Sequence, residues 1–267
     1  MAAIDVRNQA SASTRTPLLV VLREVAASGI AAAVAGVVAG GVGGRLVMRL
    51  GALIDPARIG FRTENGNRIG DITAEGTVAL VLFGGLFAGM AAATVWVVVR
   101  PWLPARRLPR YAAAAAAAVA LTGFTVVEGD NRDFFILEPA AANVVMFISI
   151  VALAGLLTVW LDQRFVAWWR GARWFTPVAL FVLLFGALLA PTSLAAFVSS
   201  DFCFCDVPPR PTGVALVVVA GATVIAWVLS WRGIKYPKVL RPVGSGATVA
   251  AVIFGMLHLV HQIAAIV

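Results

Sequence analysis

The sequence predicts an all-α integral membrane protein, a bundle of about seven transmembrane helices with a small extracytoplasmic β-hairpin. Of its 267 residues, 61% are hydrophobic and only 13% are charged, and the mean hydropathy is +0.93. A soluble domain carries about twice that charged fraction. Several apolar stretches also approach the ~20 residues that a helix needs to cross ~30 Å of hydrocarbon. The lipid bilayer is therefore expected to surround most of the chain.

The chain divides into a polar start and one membrane domain. Residues 1–24 lack periodicity and are interpreted as a cytoplasmic N-terminal tail, with no cleavable signal before the first span. Residues 25–267 are predicted to form a single transmembrane helical domain. Its predicted spans are about 25–47, 77–99, 111–127, 140–161, 175–198, 213–231 and 246–267. The third contains a weakly hydrophobic alanine tract, so it fits only as a packing helix inside the bundle.

Basic residues concentrate in the tail and in every second loop. They are Arg7, Arg15, Arg23, Arg100, Arg106, Arg107, Arg110, Arg164, Arg170, Arg173, Arg232, Lys235, Lys238 and Arg241. On that side the acidic residues are only Asp5, Glu24 and Asp162. Because positively charged loops stay in the cytoplasm, we predict a cytoplasmic N-terminus and an extracytoplasmic C-terminus. Topology and headgroup contacts also account for the net charge of +8, so no nucleic-acid partner is expected.

The outer loop 55–76 contains a turn signal. Its Asn65-Gly66 pair is flanked by alternating residues. Both central positions of a type I′ turn need positive φ, which asparagine and glycine adopt readily. The loop therefore predicts a small β-hairpin on the extracytoplasmic side.

Small residues recur at helical spacing in the first two predicted spans. In the first span they are Ser28, Ala32, Gly36, Gly40 and Gly44, and in the second they are Gly85 and Gly89. A stripe without side chains lets a neighbouring backbone approach closely in lipid. We therefore predict that Gly36, Gly40, Gly44, Gly85 and Gly89 serve helix packing. The same stripe could bind a partner membrane subunit or a second copy of the chain.

Most polar residues within the predicted spans fall on the outer half. A cavity open to the extracytoplasmic side is predicted if they face one another, since buried polarity in lipid marks pathways and sites. Its predicted members are Arg45, Arg49, Asn143, Thr192, Ser193, His261 and Gln262.

Arg45 and Arg49 have two interpretations. Guanidinium groups match phosphate and carboxylate, which indicates an anion or lipid-headgroup site. The alternative is that they snorkel to the surface or pair with acidic residues of the outer loops. Those residues are Glu128, Asp130, Asp133 and Glu138.

A second candidate site combines two cysteines and two histidines. Cys203 and Cys205 lie in the last outer loop, and His258 and His261 lie three residues apart in the seventh predicted span. Thiolate and imidazole ligands suit Zn²⁺ or copper in number and type. The alternative is that the histidines form hydrogen bonds inside the bundle and the cysteines are packed thiols. Haem is disfavoured, because both histidines project from the same side of one helix.

Some segments resemble uncharacterised multi-pass proteins of bacterial inner membranes. They are Gly44-Arg45-Leu-Val-Met-Arg49, Thr63-Glu-Asn-Gly-Asn67, Ile72-Thr-Ala-Glu-Gly76, Arg100-Pro-Trp-Leu-Pro104 and the stretch from Pro139 to Asn143. The resemblance covers roughly the first 160 residues. It implies the architecture and a place in the bacterial plasma (inner) membrane, and it carries no activity.

Common catalytic signatures are absent from the sequence. It has no Walker-type phosphate loop, no Gly-x-Ser-x-Gly elbow and no His-Glu-x-x-His. An enzyme is therefore not favoured. The leading hypothesis is a permease-like or sensor protein with an outward-facing polar cavity. The alternatives are a metal-binding membrane protein and a structural or assembly subunit of a membrane complex.

Overall fold

A computed structural model describes residues 18–64, 68–169, 172, 174–196, 210–235 and 237–267, with residues 187–196 described by their backbone alone. The described part is helical and contains no strand. We name its long helices α1 (Leu18–Ile54), α2 (Ala74–Trp102), α3 (Arg107–Thr122), α4 (Ala140–Trp169), α5 (Phe175–Ala196), α6 (Arg210–Arg232) and α7 (Leu240–Ile266). Short helical turns lie between them at Pro56–Arg58, Gly123–Thr125 and Arg132–Ile136.

Five of these helices are long and apolar enough to cross a membrane. In the part of the chain that the structure describes they are α1, α2, α4, α6 and α7. The prediction of a membrane protein is confirmed at this level, but the count of seven spans is not supported.

The two missing spans have separate explanations. Helix α3 has only 16 residues, and the predicted span 111–127 ends in the tight turn Gly123–Thr125. Its alanines favour a helix, so α3 forms. They add little hydrophobicity, and the helix is shorter than the other spans. In α5 the described apolar stretch covers only Phe175–Gly186. The end of the predicted span 175–198 lies outside the described residues.

Helix α1 contacts α2, α4 and α5. Helix α3 packs between α4 and α7, and α6 packs on α7. The main apolar core joins α2, α3, α6 and α7 through side chains such as Val99, Leu121, Val219 and Ala251. The elements of the bundle are therefore held together mainly by α1 on one side and α7 on the other.

Helices α1 and α2 meet backbone to backbone. A Cβ atom on Gly36 would lie 2.4 Å from the Gly89 Cα atom, and one on Gly40 would lie 2.1 Å from the Gly84 carbonyl oxygen. Both helices contain a π-helical segment here, Val37–Gly43 in α1 and Leu80–Phe87 in α2. Helix α2 thus occupies the stripe that the sequence also offered to a partner subunit.

The predicted β-hairpin is not supported. In loop 55–76 the described residues form one isolated antiparallel bridge, between Arg62 and Arg68, and residues 65–67 lie outside the described ranges. The Gly60 N–H donates to the Ile69 carbonyl at 2.9 Å. Gly60 and Gly70 both adopt left-handed φ angles near +90°, which turn the two segments away at the open end of this short pairing and prevent longer strands.

Candidate functional site

Three residues of the predicted polar cavity line one hollow at the end of the bundle where α1 ends and α4 begins. They are Arg45 and Arg49 of α1 and Asn143 of α4. The loop residues 68–72 and side chains of the 128–139 segment complete the walls. The volume is about 50 Å³, enough for a few water molecules or one small anion. We call this hollow the outer cavity, after the orientation that the sequence predicts, and use inner for the opposite end in the same sense.

The two arginines lie one turn apart at the wall of the outer cavity. Arg45 is half-buried, and its Nε atom is buried without a hydrogen-bond partner in the described structure. Arg49 is exposed and donates from Nη1 to the Gly70 carbonyl oxygen at 3.2 Å. Neither arginine forms an ion pair within the described ranges. The predicted pairing with Glu128, Asp130, Asp133 or Glu138 is therefore not found there.

Asn143 fixes the wall on the opposite side. It is 5% exposed, and its Nδ2 atom donates to the Leu137 carbonyl oxygen at 2.9 Å. Its Oδ1 atom faces Gly51 of α1, where a Cβ atom would lie 3.4 Å away. Asn143 thus connects the start of α4 to both the preceding segment and α1.

Two loops bond to each other beside the cavity. Asp133 Oδ1 accepts a hydrogen bond from the Glu64 backbone N–H at 2.8 Å, and Glu64 Oε2 accepts one from the Arg132 N–H at 3.3 Å. Burial raises the pKa of the Asp133 carboxyl, and the negative charge of Glu64 adds to the rise. The Glu64 N–H and the Arg132 charge oppose it.

The other predicted members of the cavity lie elsewhere. His261 is exposed on α7. Gln262 accepts a hydrogen bond from the Gly129 N–H at 2.7 Å through Oε1, and its Nε2 atom lies 3.4 Å from His258 Nε2. Neither His261 nor Gln262 lines the outer cavity. Thr192 and Ser193 belong to the part of α5 whose side chains lie outside the description.

The metal hypothesis remains a prediction. Cys203 and Cys205 lie outside the described residues. His258 is half-buried, and its ring meets the Phe124 ring edge-on with centroids 5.5 Å apart, whereas His261 is exposed. Among the described residues no group of three or more histidine, cysteine, aspartate or glutamate side chains is arranged to hold a metal ion.

A buried polar cluster occupies the other end of the bundle. It joins Glu24 and Ser28 of α1, Arg100 of α2 and Asp162 of α4, each less than 10% exposed. Arg100 Nη1 donates to Asp162 Oδ1 at 2.9 Å, and Nη2 lies 3.6 Å from Glu24 Oε2. Ser28 Oγ lies 2.6 Å from Asp162 Oδ1 and also accepts from Arg100. We call these four residues the inner cluster.

The inner cluster was not predicted as a site, although the sequence contained a signal. Glu24 and Asp162 are two of the three acidic residues on the otherwise basic side, and both lie near the guanidinium of Arg100. An unpaired charged side chain is costly inside a membrane, so buried charges in membrane helices pair with one another. A small cavity of about 30 Å³ adjoins the cluster and is also lined by Arg110 and Trp227.

Comparison of the chain with protein-family models, with curated proteins and with solved structures finds no match.

Proposed function

We propose that this chain is a multi-pass membrane protein that binds a small anion in the outer cavity, acting as a permease-like protein or as an extracytoplasmic sensor. The observation that carries this proposal is the pair Arg45 and Arg49, which line one hollow and form no ion pair within the described part of the chain. Planar guanidinium groups match the oxygen geometry of phosphate and carboxylate.

The charge of the cavity wall supports an anionic ligand. Arg45, Arg49 and Arg68 face the hollow together with Asp71 and Asp133. Three cations and two carboxylates leave an excess of one positive charge. The raised pKa of Asp133 makes its carboxyl easier to protonate, which would increase that excess.

The two ends of the bundle differ, which supports ligand entry from one end only. The outer cavity lies at one end, and the inner cluster ties α1, α2 and α4 together at the other. A ligand would therefore enter from the outer end, while the inner end stays closed by buried charges.

We further propose seven crossings, with the N-terminus in the cytoplasm of a bacterial cell and the C-terminus outside. The course of α3 supports a crossing despite its length. Trp102, just before α3, lies against Gly244 near the start of α7, and Phe124, just after α3, lies against His258, further along α7. At 1.5 Å per residue, α7 rises about 21 Å between those two contacts.

Anion-dependent thermal stability tests the proposed function. Purified protein in detergent is heated with and without inorganic phosphate, sulfate or acetate, together with the variants Arg45→Gln and Arg49→Gln. Arg58→Gln is the matched control, because Arg58 lies in the same outer region but faces Asp55 and does not line the hollow. A ligand at 100 times its Kd stabilises the folded state by about 2.7 kcal/mol.

We expect at least one anion to stabilise the wild type and Arg58→Gln, and to lose this effect in both cavity variants. If none of the three anions stabilises the wild type, or if all four proteins respond alike, the proposal is wrong.

A further inference from the structure

A larger hollow lies at the same end of the bundle as the inner cluster, between α3, α7 and residues 101–105. Its volume is about 540 Å³. Most of its wall is apolar, and its polar lining comes from α7 through Arg241, Ser245 and Thr248. We call it the α3–α7 groove.

The groove exists because two neighbouring helices diverge. Near the middle of the bundle α3 and α7 touch, since a Cβ atom on Gly255 would lie 2.2 Å from the Ala120 carbonyl oxygen. Further along, the α3 wall consists of Ala113 and Ala116, whose short side chains leave the space unfilled. The groove is therefore a wedge that is closed at the Gly255 contact.

Trp102 lines the groove near its wide end. Its ring lies so close to Gly244 that an added Cβ atom would come within 2.4 Å. Its indole Nε1 donates to Thr223 Oγ1 at 2.8 Å, and the side chain is 8% exposed. The ring is therefore held in place.

Polarity changes along the α7 wall. Arg241, Ser245, Val249 and Ile253 repeat every fourth residue, and all line the groove, so one helical face passes from a cation to aliphatic side chains. The twelve steps from Arg241 to Ile253 rise about 18 Å. One leaflet of the hydrocarbon core is about 15 Å thick, half of ~30 Å.

Arg241 is the charged group at the wide end. It is exposed and forms no ion pair in the described ranges. The hydroxyls of Ser245 and Thr248 donate to carbonyl oxygens of their own helix. They therefore need no hydrogen-bond acceptor from a ligand. Basic pockets between transmembrane helices bind anionic lipid headgroups.

We propose that the α3–α7 groove binds an anionic phospholipid, with its phosphate at Arg241 and one acyl chain along Val249 and Ile253. The length of the groove matches one leaflet, and its polarity has the order of a lipid: charge at the surface and hydrocarbon inside. This site is separate from the outer cavity and does not depend on an anion binding there.

Native mass spectrometry of the full chain tests this site. The protein is purified in detergent and titrated with phosphatidylglycerol or phosphatidylcholine. Arg241→Gln removes the cation, and Lys238→Gln is its control, an exposed cation at the same end that does not line the groove. Ala116→Phe fills the groove, and Ala112→Phe adds the same volume at an exposed position of α3 outside it.

We expect the wild type to prefer phosphatidylglycerol. Arg241→Gln weakens its binding about fivefold, equivalent to about 1 kcal/mol per basic residue near the membrane surface, and Lys238→Gln leaves it unchanged. Ala116→Phe abolishes binding of both lipids, whereas Ala112→Phe retains it.

Val249→Trp serves as a second filling variant if Ala116→Phe does not fold, because Val249 is 57% exposed and a larger side chain there displaces no core residue. The proposal is overturned if the folded filling variant binds lipid like the wild type. Equal effects of Arg241→Gln and Lys238→Gln, or no preference for phosphatidylglycerol, overturn it as well.

Discussion

Arg100→Met tests the energetic role of the inner cluster. The substitution keeps a long apolar stem but removes the guanidinium that lies 2.9 Å from Asp162 Oδ1 and 3.6 Å from Glu24 Oε2. All three side chains are buried. Both carboxylates would then lose this cation in a region where solvent cannot replace it.

The expected loss of stability is large. Removing one partner of a buried ion pair costs about 3–5 kcal/mol, mainly because the remaining charge is left buried. For a protein of this size each kcal/mol corresponds to roughly 2–4 °C in Tm, so Arg100→Met should lower Tm by roughly 6–20 °C.

Thermal unfolding in detergent, followed by far-UV circular dichroism, measures this change. Arg106→Met is the matched control, since Arg106 is exposed and a surface substitution changes stability by about 0.5 kcal/mol or less. In the triple variant Glu24→Gln, Arg100→Met, Asp162→Asn no charge of the cluster remains, so much of the loss should be recovered. If Arg100→Met unfolds at the same temperature as Arg106→Met, the cluster does not stabilise the bundle.

Two further predictions concern the helix contact and the outer loops. Gly40→Ala should destabilise the protein by about 1–3 kcal/mol through overpacking, because its Cβ atom would lie 2.1 Å from the Gly84 carbonyl oxygen. The control Gly221→Ala should not destabilise it, because a Cβ atom there has nothing within 4 Å. Equal Tm values for the two variants would refute the close contact. The raised pKa of Asp133 means that the folded state binds its proton more tightly than the unfolded chain, so stability falls as pH rises above 3.8 and levels off above the folded pKa. Asp133→Asn keeps an acceptor for the Glu64 N–H and should remove this part of the pH dependence in Tm; identical pH profiles for both proteins would contradict the assignment.

The membrane class and the position of the glycine stripe follow from local properties of the sequence. Hydropathy reports the surroundings of a helix, and small residues at helical spacing mark a surface that a backbone can approach. In the structure the surface around Gly36 and Gly40 lies against Gly89 and Gly84 of α2. The sequence of one helix does not say that α2 packs against this surface. It also does not predict the π-helical segments that both helices contain there, because these depend on the two helices meeting.

Only some of the residues predicted for the polar cavity lie together, because the position of a residue along a helix does not say which neighbour its side chain faces. Arg45, Arg49 and Asn143 lie on neighbouring helices at the same end of the bundle and line one hollow. Gln262 has a comparable place in its helix but faces Gly129. The order in which helices pack around one another decides between these outcomes, and no short stretch of sequence contains it.

The inner cluster was not predicted as a site from the sequence. Glu24, Arg100 and Asp162 lie at the ends of predicted spans, where charges are ordinarily solvated. Their burial arises only because three helix ends converge. An acidic residue on a basic side is the one feature of the sequence that pointed to such a pairing.

Anomalous diffraction from crystals of the full chain grown with selenate tests the proposed anion site most directly. Selenate is a tetrahedral oxyanion, and charge-assisted N–H···O bonds have lengths of about 2.7–2.9 Å. The account predicts a selenium peak in the outer cavity, with oxyanion oxygens at that distance from the guanidinium groups of Arg45 and Arg49. An empty cavity, or both arginines turned onto acidic side chains while selenate binds elsewhere, would contradict it.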